Sequence, residues 1–150
     1  MNAAFIRFCS ICALLWVIPF VPASAQGLQH PATPRHPAAP REIFERVQEG
    51  LSDGNVGAFS KFLASSVSVS LRGSEGGYYS GSQARYLLEN YFRFHHLGRF
   101  TFTTVDDSGS NPYATGSVAF NSHGARELAQ IYVSLTSEHD GWLITQINIY

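Results

Sequence analysis

Cysteine is nearly absent from this 150-residue chain: Cys9 and Cys12 are the two it has, and both lie in the first 25 residues. That stretch reads as a leader to be removed. The rest can therefore form no disulfide, present no thiolate nucleophile and ligate no zinc through sulfur. Charge is sparse too. Once Arg7 leaves with the leader, nine basic residues stand against eleven acidic ones. A chain so close to neutrality lacks the basic footprint that neutralising nucleic-acid phosphates requires, so nucleic acid is not an expected partner. The Gly-rich run Arg72-Gly73-Ser74-Glu75-Gly76-Gly77 lacks the Lys and the spacing of a nucleotide-binding loop, and Glu75 would repel an anion. It reads as a hairpin turn.

What is present begins with the leader. Arg7 supplies a positive charge, residues 8–20 are almost wholly apolar, and Ala23-Ser24-Ala25 is the small-x-small pattern that signal peptidase accepts. Cleavage is predicted after Ala25, which makes the chain an exported protein, periplasmic or secreted, without a stable membrane anchor. A spanning helix over residues 5–21 is the competing reading, but Pro19 and Pro22 interrupt it and it falls short of the roughly 20 residues a span needs. A lipid on Cys9 or Cys12 is not expected, because no apolar signal core precedes them. Residues 26–40 carry Pro31, Pro34, Pro37 and Pro40 with no apolar periodicity, the pattern of a flexible tether. His30 and His36 belong to that solvated stretch.

Residues 41–150 have the length of one domain. Pro40 suits a first helical turn, and Ile43, Phe44, Val47 and Leu51 recur at helical spacing up to Gly54. Asn55 is placed to cap a second, short helix with Val56, Phe59, Phe62 and Leu63 on one face. From Val67 the period becomes two, which predicts a half-buried strand through Leu71, a turn over residues 73–77 and a brief return strand at Tyr78-Tyr79. Ser80 with Gln83 fits a capping box that opens a third helix running to about His95, burying Ala84, Leu87, Leu88, Tyr91 and Phe92 or Phe94. Four strands follow, at residues 100–106, 113–121, 127–136 and 142–149. Their loops are short and rich in turn formers, so antiparallel hairpins are expected. Helices first and a meander last is an α+β order.

This order resembles the cone-shaped fold of the nuclear transport factor 2-like superfamily, which includes ketosteroid isomerase and is also described as cystatin-like. The helical pair with its Ser52-Asp53-Gly54-Asn55 hinge is similar to that superfamily's opening, and Gly141-Trp142-Leu143-Ile144 to its final strand. A closer resemblance is to a family of exported bacterial domains of unknown function within that superfamily. It rests on Ile43-Phe44 leading into Gln48-Glu49-Gly50, on Gly77-Tyr78-Tyr79-Ser80, on residues 111–116 (Asn-Pro-Tyr-Ala-Thr-Gly) and on Trp142-x-Ile144-x-Gln146-Ile147. It implies three helices in the N-terminal half packed on a curved antiparallel sheet of five to six strands, and it brings no activity with it.

An isomerase-type site in that superfamily needs a carboxylate base beside a carbonyl-polarising donor in an apolar cavity. Asp106, Asp107, Glu138 and Asp140 fall in turns, and Glu42, Glu45 and Glu49 on the outer side of the first helix. Only Glu127 and Glu75 are candidates to point inward, so no catalytic residue is assigned. The neighbours His95 and His96 point about 100 degrees apart on a helix and cannot grip one metal; favourable placement at a helix C-terminus explains them. His123 and His139 fall in hairpin turns. No metal or cofactor is expected.

A face shared by three strands is more informative. Tyr113, Thr115 and Ser117, then Gln130, Tyr132 and Ser134, then Gln146, Asn148 and Tyr150 fall at alternate positions. Ala129, Ile131, Val133 and Leu135 with Leu143, Ile147 and Ile149 take the other parity and read as core; a bulge between Ile144 and Ile147 would swap the last strand. The first set is aromatic and uncharged, which suits a recognition surface or a dimer face. An ordinary solvated sheet face, where Thr, Tyr and Ser have good strand propensity, is the competing reading. The expected function is a non-catalytic binding or assembly module, homodimeric through this face, with Tyr78, Tyr79, Tyr113, Gln130 and Tyr132 meeting the ligand or partner. The alternative is a small-molecule enzyme or carrier, isomerase- or dehydratase-like, with a helix–sheet cavity lined by Tyr79, Tyr91, Phe102 and His95.

Overall fold

The computed structural model describes residues 38–74, 76–95, 97–122, 125–139 and 141–150. The predicted leader, the Pro-rich stretch up to residue 37, and Glu75, His96, His123 and Asp140 lie outside them. No helix among the described residues is long and apolar enough to cross a membrane.

Helix α1 spans Pro40–Asp53, with Pro40 in its first turn as its fixed φ favours. Ile43, Phe44, Val47 and Leu51 recur on one side and are all buried. Gly54 ends the helix at φ 67°, a left-handed conformation that a side chain would strain. The expected second helix is absent. Two single 3₁₀ turns, Val56–Ala58 and Ser60–Phe62, take its place, with N–H groups bonded three residues back. Phe59 sits between the two turns at φ −121°, outside the helical range, and strand β1 begins directly after them at Leu63. Val56 and Phe59 still reach the core.

β1 (Leu63–Leu71) turns back into the three-residue β2 (Gly77–Tyr79). Helix α2 (Gly81–Phe94) opens with the capping box: Ser80 Oγ accepts from the Gln83 N–H while Gln83 Oε1 accepts from the Ser80 N–H. It buries Ala84, Leu88, Tyr91 and Phe92 and leaves Phe94 in solvent. The strands β3 (Thr104–Asp106), β4 (Tyr113–Ser122), β5 (Ala125–Glu138) and β6 (Gly141–Ile149) complete the fold. β3 is shorter than the alternation predicts because the Phe100 and Phe102 N–H groups bond to Ser52 Oγ and Gln48 Oε1 of α1 instead of to a neighbouring strand.

The six strands form one sheet in the order β2-β1-β6-β5-β4-β3. It is mixed, not purely antiparallel: β1 lies parallel to β6, because the last strand inserts between the first strand and the meander. Between Ser134/Gln146 and Leu135/Ile144 the β5–β6 register skips Thr145. This bulge lets Ile144 and Ile147, three residues apart, both face the helices, and it moves Leu143, opposite Thr136, out of the expected core parity. The core lies between the helices and one sheet face, where Phe44, Phe100 and Phe102 pack edge to face at centroid distances of 6.0 and 4.8 Å.

Candidate functional site on the outer sheet face

The sheet face turned away from the helices carries the uncharged polar and aromatic set. Register fixes its members as cross-strand neighbours: Tyr113 lies opposite Ser134, Thr115 opposite Tyr132, and Ser117 opposite Gln130. On the next strand Asn148 lies opposite Tyr132, and Gln146 opposite Ser134. Because Ala114, Gly116, Val118, Ile131 and Val133 face the core, every second residue is forced outward.

The Tyr113 and Tyr132 rings stack at a centroid distance of 6.0 Å with 18° between their planes. Beside them a hollow of about 340 Å³ is bounded by Thr103, Thr115, Ser117, Gln130, Tyr132 and Tyr150, with the Gly116 and Ile131 backbones as its floor. Tyr150 forms a wall because its backbone exchanges two hydrogen bonds with Gln130, at 3.0 and 3.2 Å. Its hydroxyl accepts from Asn148 Nδ2 at 3.0 Å. Asn148 is buried, and among the described residues its Oδ1 has no partner. At the β3 edge Asp106 lies opposite Tyr113, and Ser108 donates both its hydroxyl and its N–H to Asp106 Oδ1. The side-chain bond first, and then the backbone one, hold this carboxyl below its ordinary range.

Of the residues singled out from sequence, Tyr113, Gln130 and Tyr132 converge here. Tyr78 belongs to the same side of the sheet, opposite Ser68, but at the far edge with β1 and β6 between. Tyr79 points the other way. It lines a shallow groove of about 340 Å³ with Ser82, Gln83, Tyr86 and Leu87 of α2. Thr103 was not anticipated at the hollow. The alternation that sends Phe100 and Phe102 inward is the signal that sends Thr103 outward, and its N–H and hydroxyl both donate to the Thr115 carbonyl.

The residues of the alternative cavity are dispersed. Phe102 is packed among Phe44 and Phe100, and Tyr79 lies in the α2 groove. Tyr91 and His95 stack at 4.2 Å, with Phe120 edge-on to His95 and His95 Nδ1 bonded to the Tyr91 carbonyl. Glu127 does share the inward parity, opposite Phe120, but it is paired with Arg72 at 3.1 Å. The Tyr91 hydroxyl is out of solvent reach and, among the described residues, without a hydrogen-bond partner. Burial pushes this phenol up from its ordinary range, Arg72 draws it down and Glu127 adds to the rise. Among the described residues no three His, Cys, Asp or Glu side chains are placed to hold a metal.

Comparison with known proteins identifies the family. The model of a domain of unknown function, DUF4783, matches residues 44–150. No curated protein matches. Among solved structures, a DUF4783 family protein from Bacteroides uniformis aligns with a TM-score of 0.62 at 17% identity, over 70% of this chain and 93% of that one. An uncharacterised cystatin-fold protein from Novosphingobium aromaticivorans gives 0.58 at 8% identity, over 75% and 98% of the two chains. A hypothetical protein with a ketosteroid isomerase-like fold from Catenulispora acidiphila, solved in complex with trimethylamine, gives 0.56 at 14% identity, over 75% and 86%. At such identities the likeness is one of fold. With a matching model across the helices and the whole sheet, the chain belongs to the DUF4783 family and has the nuclear transport factor 2-like fold.

Proposed function

We propose that this protein is an exported, non-catalytic binding module whose working surface is the outer sheet face. One observation carries the reading: a pre-stacked Tyr113–Tyr132 pair stands beside a hollow whose lining side chains are hydroxyls, an amide and phenols, with no charged side chain among them. Aromatic anchors held in place by neighbours bind at low entropic cost, and adaptable polar groups around them supply orientation. Assembly of two copies through the same face is the second reading. Leu128, 70% exposed, and Tyr150, 55% exposed, favour it as apolar contributions to this side.

Two measurements test the proposal. The N-terminus of the protein recovered from the bacterial envelope should be Gln26; a retained leader would remove the export claim. Light scattering of the purified protein and of Tyr132→Ala, with ligand or partner binding measured in parallel, tests the face. A monomer at high concentration whose binding survives Tyr132→Ala would overturn it.

A further inference from the structure

We infer that the outer-face hollow is a carbohydrate subsite, taking a neutral, polyhydroxylated ring. The inference rests on the outer face being the working surface, and it goes further by naming the ligand chemistry. The groups around the hollow are the hydroxyls of Thr103, Thr115 and Ser117, the Gln130 amide and the phenols of Tyr132 and Tyr150. Each group type carries both donor and acceptor capacity, so the set as a whole can meet sugar hydroxyls in either sense.

Two of these groups are already oriented. The Thr103 hydroxyl spends its proton on the Thr115 carbonyl and turns lone pairs outward. The Tyr150 hydroxyl accepts from Asn148 and keeps its own proton to donate. The lining side chains supply no cation for an anionic ligand and no carboxylate for a cationic one, and an anion desolvated there would go uncompensated. The size also fits, since a volume of about 340 Å³ lies at the lower end of ordinary small-ligand sites. The Tyr132 ring, backed by Tyr113, is a preset apolar surface for the C–H side of a sugar ring. Two copies meeting face to face would each leave such a polar hollow unfilled, which favours a bound ring over self-packing at this spot.

The test uses the purified full chain and trisaccharides of glucose, mannose and N-acetylglucosamine as neutral probes, with a galacturonic acid trisaccharide as the charged control. Titration calorimetry and saturation-transfer NMR read the binding. At least one neutral probe should bind saturably, the charged control should not, and Gln130→Ala and Tyr132→Ala should each weaken binding about tenfold or more. Thermal melts confirm that both variants fold; Gln130 is exposed, so its truncation leaves the core intact. If no neutral probe saturates while Tyr132→Ala still abolishes self-association or partner binding, the ligand class falls and the face stands. If a neutral probe binds equally well to both variants, the hollow is the wrong site and both readings fall. Equal binding of the charged control would overturn the inference as well.

Discussion

Replacing Tyr91 with Phe should stabilise this protein. The Tyr91 ring packs under α2, edge to face with Phe92 at 5.4 Å and stacked on His95 at 4.2 Å, and Phe keeps both contacts. Its hydroxyl is buried and, among the described residues, finds no hydrogen-bond partner. A hydroxyl moved out of water without compensation costs roughly 1–3 kcal/mol. Deleting it leaves a void of one oxygen, worth a few tenths of a kcal/mol at roughly 24 cal/mol per Å³. The net expectation is a gain of about 1 kcal/mol, or a rise in Tm of about 4 °C for a domain of this length. Urea unfolding followed by circular dichroism measures it, with an unchanged m-value required for the comparison. The alkaline limb provides a second readout. Because the folded phenol is held above its ordinary value of 10.0, the unfolded chain loses this proton first as pH rises past 10. Stability then falls with pH until the folded phenol also ionises, and the Phe variant should show a shallower fall. A loss of more than about 1 kcal/mol on substitution would mean that the hydroxyl has a partner, and would refute the reasoning.

Three further outcomes follow from particular contacts. A Cβ at Gly116 would sit 2.7 Å from both a Phe100 ring carbon and the Thr101 carbonyl oxygen, so Gly116→Ala should cost about 1–3 kcal/mol in urea unfolding. Ser52→Ala removes the oxygen that accepts from the buried Phe100 N–H at 3.0 Å, and should cost a similar 1–3 kcal/mol or so and speed exchange of that amide. Asp106 is held below its ordinary 3.8 by Ser108, so its contribution is present above that pH and is lost as pH falls through the lower folded value. Asp106→Asn should therefore flatten part of the acid limb of stability, and an unaltered limb would show that the Ser108 bonds do not distinguish the ionised form.

Much of this architecture was legible because two periods carry it. The 3.6-residue spacing of Ile43, Phe44, Val47 and Leu51, and the Ser80 and Gln83 capping pair, mark the helices, while alternation marks β4 and β5 almost residue by residue. Three features were not local. Phe59 and Phe62 share a helical face in sequence, yet the chain makes 3₁₀ turns there and passes straight into β1 at Leu63, a strand held by pairing with β6 some 80 residues away. The same long-range pairing makes the sheet mixed, and no periodicity encodes strand direction. Residues 100–103 alternate as a strand should, but their N–H groups are claimed by Ser52 and Gln48. At the candidate site, parity places Tyr113, Gln130 and Tyr132 together. It is blind to the hollow beside the tyrosine pair, which depends on how Tyr150 is pinned to Gln130 and where Thr103 crosses.

The fold itself limits where this protein can meet a partner. Its edge strands, β2 and β3, pair over three residues each, too short to template an added strand of useful length. The opposite side of the sheet is closed by α1 and α2, with Phe44, Phe59 and Phe100 filling the space between. The outer face differs from both because it presents side chains that a ligand can address without unfolding anything: paired rings, hydroxyls and an amide held in register by the longest strand pair of the sheet. Rigid placement matters here more than area. Backbone positions fixed by β4–β5 pairing have little freedom left to lose, which is why the proposed ligand site is set on this face and not on a loop.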